Sequence, residues 1–450
     1  MRKLILQPVF IIAILVFVSS CRKDLEPGNS TINATIKVEY DTTTDGNFNY
    51  PLQGISVKLS NLLNGNELTV QTDNQGRASI GGISAGQYSV AATITLPAAT
   101  YTNITGIPVT EDVVYNASLT SITINSAADN NIALTLQTGR IGDWVIKQIY
   151  FAGSHRTLGA LFRDQFIELY NNSNKVLYAD SLYIATLIGV NNSSPDLNTG
   201  FYLTQGEFAG QFDWTKSIDM PAGINANDDY VYTKSLYRIP GTGTTYPVQP
   251  GASIVIAQTA VNHKAPFTGV DGSTVQVQDP SLTVDLSKAE FEVYAAPFLT
   301  RPLASDVDVP SAVNLIPLLI FGTDFIIDNP GRDGYAIFKT TADVENAYPR
   351  YFAPNVQTPG NQARYFQVPR SVIIDAVETQ PSEESSRVPK KLRASLDAGF
   401  TFVPAGSYSS QSVVRKTLKT VAGRKVLVDT NNSSTDFTFF NIANPKGFAE

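Results

Sequence analysis

The residues in this 450-residue chain best suited to chemistry are oxygen donors. Asp429, Asn431, Asn432 and Asp436 place four oxygen-bearing side chains on one short loop, the donor type that calcium selects. The loop lacks the glycine and closing glutamate of an EF-hand, and Asn and Asp also bond their own backbone in turns. A structural turn is the first expectation and calcium the alternative. Glu168 lies within an apolar run, where a second carboxylate would be needed for acid–base work. No partner is visible in the sequence. His155 and His263 stand outside any HxH or HxxxH spacing, and no GxSxG elbow presents a nucleophile. The run Gly241-Thr242-Gly243-Thr244-Thr245 lacks the lysine and following helix of a phosphate-cradling loop. No catalytic residue is assigned, and no cofactor is expected apart from that calcium.

Aromatic and cationic residues form a second group. Tyr348-Pro349-Arg350-Tyr351-Phe352 and Arg364-Tyr365-Phe366 fall in a proline-bearing stretch without sustained alternation, which predicts a loop. Tyr and Arg supply interface hot spots through area, cation–π contact and bidentate bonding. Arg350, Tyr351, Arg364 and Tyr365 are therefore the expected partner or ligand contacts, with a small satellite core as the alternative. Glu378 to Arg393 is charged and carries Pro381 and Pro389, which predicts an exposed, mobile loop open to proteolysis.

The address comes from the first 21 residues. Arg2 and Lys3 precede an unbroken apolar run, Val9 to Val18, followed by Ser19, Ser20 and Cys21. Ten residues at about 1.5 Å rise fall short of a bilayer core about 30 Å thick, so the segment reads as a signal peptide. Val18-Ser19-Ser20-Cys21 resembles the bacterial lipobox. That resemblance implies cleavage after residue 20, a lipid on Cys21, and a short tether over residues 21–31. Cys21-Arg22-Lys23-Asp24-Leu25-Glu26 resembles the surface-export signal of Bacteroidota lipoproteins, with Leu25 in place of a second acid. It implies anchorage on the outer membrane, facing outward.

The body must then be built from strands. Ile55, Val57 and Leu59 alternate with polar residues, and Thr72-Asp73-Asn74-Gln75-Gly76 supplies a turn before Ala78 and Ile80 resume the period. These blocks, with Gly86-Gln87-Tyr88-Ser89-Val90, resemble carboxypeptidase-regulatory or collagen-adhesin B-type sandwiches. An immunoglobulin-like or prealbumin-like β-sandwich is expected over 32–138. Beyond residue 140, Phe166-Ile167-Glu168-Leu169-Tyr170, Pro250-Gly251-Ala252-Ser253-Ile254-Val255-Ile256 and Asp429 to Phe437 resemble a lamin-tail-like sandwich. Spread over 140–450, these blocks imply long insertions near 190–248 and 262–420. The expected fold class is all-β.

Composition closes other doors. Two histidines and one cysteine exclude zinc fingers, iron–sulfur sites and disulfide frameworks. The net charge of −7 argues against nucleic acid as a partner. Without the first 20 residues 31 basic face 40 acidic residues, a balance of −9. The whole arrangement resembles a Bacteroidota lipoprotein family of unknown function, which carries no known catalytic residues and whose members are linked with TonB-dependent transporters. The expectation is a non-enzymatic, lipid-anchored surface protein that serves such a transporter. The alternatives are a stand-alone glycan- or ligand-binding protein and, behind it, a carboxylate-based hydrolase.

Overall fold

A computed structural model describes residues 32–41, 48–63, 66–106, 112–126, 130–139, 143–173, 175–421 and 423–449. The signal peptide, Cys21 and the tether lie outside the described residues.

The first unit contains β1 (Ile32–Tyr40), β2 (Ser56–Asn61), β3 (Glu67–Gln71), β4 (Arg77–Ile83), β5 (Gly86–Leu96), β6 (Val113–Ile124) and β7 (Asn131–Gly139), with α1 (Ala98–Thr105) between β5 and β6. The strand order is β3-β2-β5-β6-β7-β1-β4. The period-2 pattern sends Ile36, Val38, Val57, Leu59, Val90, Ala92 and Leu134 into one core. Asp73 fixes the turn before β4, its Oδ1 accepting from the backbone N–H of Gln75 at 2.8 Å and of Arg77 at 2.9 Å. Gly76 adopts φ 73° there, and a Cβ would press on the Val38 carbonyl. Strand β1 pairs parallel with β7, from Thr35↔Asn131 to Tyr40↔Leu136.

The second unit opens with β8 (Trp144–Tyr150), β9 (Phe166–Asn171), β10 (Leu177–Tyr178), β11 (Tyr183–Leu187), β12 (Tyr230–Arg238), β13 (Pro247–Val248) and β14 (Ser253–Ala257). It continues with β15 (Phe267–Thr268), β16 (Thr274–Val275), β17 (Phe291–Glu292), β18 (Val313–Asn314), β19 (Ile316–Leu319) and β20 (Gly334–Phe338). Then follow α2 (Val344–Ala347), β21 (Arg350–Phe352), β22 (Arg364–Pro369) and β23 (Ile373–Glu378). The last elements are β24 (Ser412–Arg415), β25 (Thr417–Val421), β26 (Arg424–Leu427), α3 (Ser433–Asp436) and β27 (Phe437–Phe440). The fold is all-β and sandwich-like.

Two seven-stranded sheets face each other in this unit. One runs β21-β22-β12-β11-β20-β23 with β19 beside β12, and the other runs β18-β17-β14-β9-β8-β24-β27. Ile146, Ile167, Leu169 and Ile256 of one meet Ile184, Tyr237, Tyr335 and Ile337 of the other. Outer layers bury the opposite faces: Leu392 and Val344 lie against Ala185 and Phe338, while Val284 and Leu286 lie against Phe166 and Val255. Strands covered on both sides read as continuous apolar runs, as β9 and β14 do. The stretches 190–248 and 262–420 supply six of the seven strands in the first of these sheets.

Two expectations are corrected. Residues 348–370 are not a loop throughout: Arg350, Tyr351 and Phe352 pair with Phe366, Tyr365 and Arg364 in the hairpin β21–β22, which extends the sheet through β12 and leaves 353–363 as its connecting loop. The segment from Glu378 to Arg393 is not an exposed loop throughout. Glu378 and Leu392 are wholly buried and Lys390 nearly so, because Glu378 accepts from the backbone N–H of Lys391 and Leu392 and draws the segment inward.

Candidate functional site

The outward face of the first sandwich meets the second unit. On β2 and β5, Val57, Leu59 and Val90 point inward, so Lys58, Ser60, Ser89 and Ala91 present a small, polar outer surface. On β6 the corresponding Asn116 and Ser118 are buried by the second unit. Asn116 Nδ2 donates to the Thr430 carbonyl, and Ser118 Oγ donates to the Ala398 carbonyl at 2.6 Å. Beside this junction the two units diverge and leave a cleft of about 500 Å³, within the size range of small-molecule sites. Its first wall is Lys58, Ser60, Asn61, Glu67 and Ser89, with Lys58 Nζ 2.7 Å from Glu67. Its second wall is aromatic: Phe400, Phe402, Phe437 and Phe439. Phe402 and Phe439 are 37% and 38% exposed, and the Arg387 guanidinium lies 4.9 Å from the Phe400 ring centre.

Buried charge holds the aromatic wall in place. Arg415 on β24 reaches Asp375 Oδ2 at 2.7 Å, Asp429 Oδ1 at 3.0 Å and Asp436 Oδ2 at 3.2 Å. Burial alone would lower the guanidinium's pKa, but the three carboxylates together hold it above its usual value. Asp397 ties the adjoining segment down, accepting from Ser433 N at 2.8 Å and from Gly399 N at 3.0 Å. Gly399 passes so close that a Cβ would overlap Asn432 Oδ1. The 397–402 and 429–436 segments are thus locked to each other before they reach the first sandwich.

The structure places the sequence-derived candidates as follows. Asp429 and Asp436 face Arg415, so a cation among them would meet a guanidinium. Asn432 caps α3 by accepting from Ser434 N, and Asn431 takes φ 51° in the turn before it. Tyr351 and Tyr365, 8% and 9% exposed, pack with Trp214 and Tyr232, whose rings stack at 3.5 Å. On the other face of the hairpin Arg350 lies 3.9 Å from the Phe366 ring centre and Arg364 4.4 Å from that of Phe352. Arg364 is the exposed member of the four.

Glu168 is wholly buried and finds a cation where sequence shows none. A bulge between Ile146 and Gln148 lets consecutive residues reach it: Lys147 Nζ lies 2.8 Å from Oε1 and Gln148 Nε2 3.0 Å from Oε2. His155 Nδ1 accepts from the backbone N–H of Thr157 and Leu158. His263 is buried, its Nε2 3.1 Å from the Thr259 carbonyl. Sequence reasoning missed the cleft aromatics Phe400, Phe402 and Phe439. The Phe-x-Phe pattern of 400–402 is the signal that marks them.

An all-β chain of two sandwich-like units with a cleft at their junction is the class these observations define. A family described as a protein of unknown function (DUF4876) matches residues 249–442, in keeping with the resemblance read from the sequence. Among solved structures, a DUF4876 family protein from Bacteroides thetaiotaomicron is 23% identical, covers 90% of this chain and 94% of its own, and superposes with a TM-score of 0.49. A candidate adhesin from Bacteroides ovatus is 14% identical over 40% of this chain and 60% of its own, with a TM-score of 0.18. The streptococcal ancillary pilin is 14% identical over 50% of this chain and 57% of its own, with a TM-score of 0.16. No curated protein matches the chain.

Proposed function

We propose that this chain is a non-enzymatic binding protein of the outer-membrane surface, held by a lipid on Cys21, whose cleft between the two units captures an extracellular ligand. The observation that carries this reading is the asymmetry of the cleft walls: exposed phenylalanines on one side, hydroxyl, amide and paired charged groups on the other. Such a site suits a ligand with one apolar and one polar face, as a sugar ring has. Among the described residues lining the cleft, Glu67 is the one carboxylate, and it is paired with Lys58. That supports binding over carboxylate-based hydrolysis, which needs two.

The accessory role beside a TonB-dependent transporter rests on the sequence resemblance. Its test is a mild-detergent pull-down from native outer membranes through a C-terminal tag, followed by mass spectrometry. A stoichiometric β-barrel transporter supports the partnership. Recovery of the protein alone, while it is open to protease on intact cells, removes the transporter and leaves the stand-alone glycan or ligand binder. A panel of soluble oligosaccharides then tests the cleft. Binding by the unmodified chain that survives Phe402→Ala and Phe439→Ala places the ligand elsewhere.

A further inference from the structure

Buried carboxylates in the second unit have cations or hydroxyls to answer them, with one group as the exception. Glu168 has Lys147, Asp333 has Lys234, and Asp375, Asp429 and Asp436 share Arg415. Lys390 and Lys391 offset Glu378, and Lys390 offsets Asp397. Asp164 accepts from the hydroxyls of Tyr150 and Thr283 through Oδ2, while its Oδ1 has no partner. Glu292, Asp306 and Asp324 are wholly or almost wholly buried and come together around residues 258–260, where Gln258 bonds Asp324, Thr259 Oγ1 donates to the Ser305 carbonyl at 3.0 Å and Ala260 N donates to Glu292 Oε2 at 2.8 Å. They gather where the chain leaves the sheets: Glu292 ends β17, Asp306 lies in the loop before β18, and Asp324 lies between β19 and β20.

The neutral groups beside them are left incomplete in a consistent way. Gln258, just after β14, donates through Nε2 to Asp324 Oδ2 at 2.6 Å, while its own Oε1 has no partner. Asp306 Oδ2 has none either. Tyr237, from the facing sheet, is wholly buried and feels the charge of both Asp324 and Asp306, and its hydroxyl is also without a partner. Buried polar atoms left in this way are costly and call for a water or an ion to complete them. Two of the three are acceptor oxygens, which a cation would satisfy and another donor-poor side chain would not.

We propose that a hard, oxygen-preferring divalent cation of the calcium class is held between the sheets by Asp306, Asp324 and the amide oxygen of Gln258. No three His, Cys, Asp or Glu side chains form a metal-binding group among the described residues, so two carboxylates supply the charge. The Gln258 oxygen and water complete the shell, as calcium accepts. Tyr237 would hydrogen-bond a water on the ion, and Glu292 would add negative charge behind it.

The test is the metal content of the full chain, purified in detergent and desalted, measured by plasma mass spectrometry. Thermal unfolding is followed in parallel with EDTA and with added calcium chloride. The expected result is close to one calcium per chain, a Tm several degrees lower in chelator, and recovery on adding calcium. Asp306→Asn and Asp324→Asn should lose the ion and the response to chelator. A chain without metal whose Tm ignores both reagents would overturn the proposal, since the acids would then keep protons instead. Calcium retained in full by both variants would overturn it too, because the ion would then lie elsewhere.

Discussion

Arg415 answers three aspartates at once. Replacing it with Met keeps most of the volume but leaves Asp375, Asp429 and Asp436 buried together without a cation, at a cost of about 3–5 kcal/mol. Urea unfolding of Arg415→Met measures this, and a loss below about 1 kcal/mol would show that the carboxylates tolerate isolation. His263 makes a second prediction at this scale. Burial lowers its pKa from 6.5 to about 4, so below pH 6.5 the unfolded chain takes up a proton that the folded chain refuses. Stability therefore falls as pH drops from 6.5 towards 4, by up to about 3 kcal/mol. Asp164 acts in the opposite sense. Its pKa is raised from 3.8 to about 6 by burial, so its contribution is full at low pH and is lost as pH rises through that range. The difference between the wild type and His263→Gln, which can still donate to Thr259, isolates the histidine. Equal pH profiles for the two would contradict the assignment. Sequence shows the acids of 429–436 plainly but not the guanidinium facing them, and that is why calcium and Arg415 look alike from the sequence.

At the scale of elements, the hairpin β21–β22 separates two jobs that its sequence merges. Tyr351→Ala and Tyr365→Ala should each cost about 3 kcal/mol through lost packing, whereas Arg350→Ala and Arg364→Ala should each cost about 1 kcal/mol or less. Thermal unfolding of the four variants checks the order, and tyrosine variants as stable as the wild type would return those rings to the surface. The hairpin was hidden because β21 spans only three residues, too few for alternation to register, and prolines surround it. The longer strands β2, β9 and β14 were legible because their length let the period show. Charge misled over 378–393. Lys390 and Lys391 bury their stems and donate to the carbonyls of Asp397 and Arg332, each at 2.5 Å, a role that composition does not reveal.

For the whole molecule, the junction is the feature that sequence could not show, since the walls of the cleft come from residues 58–119 and 387–439. Asn116 and Ser118 join them. Their double replacement by alanine removes the hydrogen bonds to the Thr430 and Ala398 carbonyls and the longer one to Glu207, worth about 1 kcal/mol each, and should leave both cores folded while the units separate more often. Small-angle scattering should show a larger radius of gyration, and limited proteolysis should release the first sandwich sooner. An unchanged profile in both would mean that other contacts hold the units together.

The parallel pairing of β1 with β7 has a mechanical side. The chain enters β1 at Ile32 and leaves β7 at Gly139. A pull from ahead of Ile32, opposed by drag on the second unit, draws the two strands past each other lengthwise. The six residue pairs from Thr35↔Asn131 to Tyr40↔Leu136 then bear tension together instead of peeling apart singly. Rupture under load is governed by the rate of forced opening rather than by equilibrium stability, so this shear clamp suits the first sandwich to bear tension applied between Ile32 and Gly139.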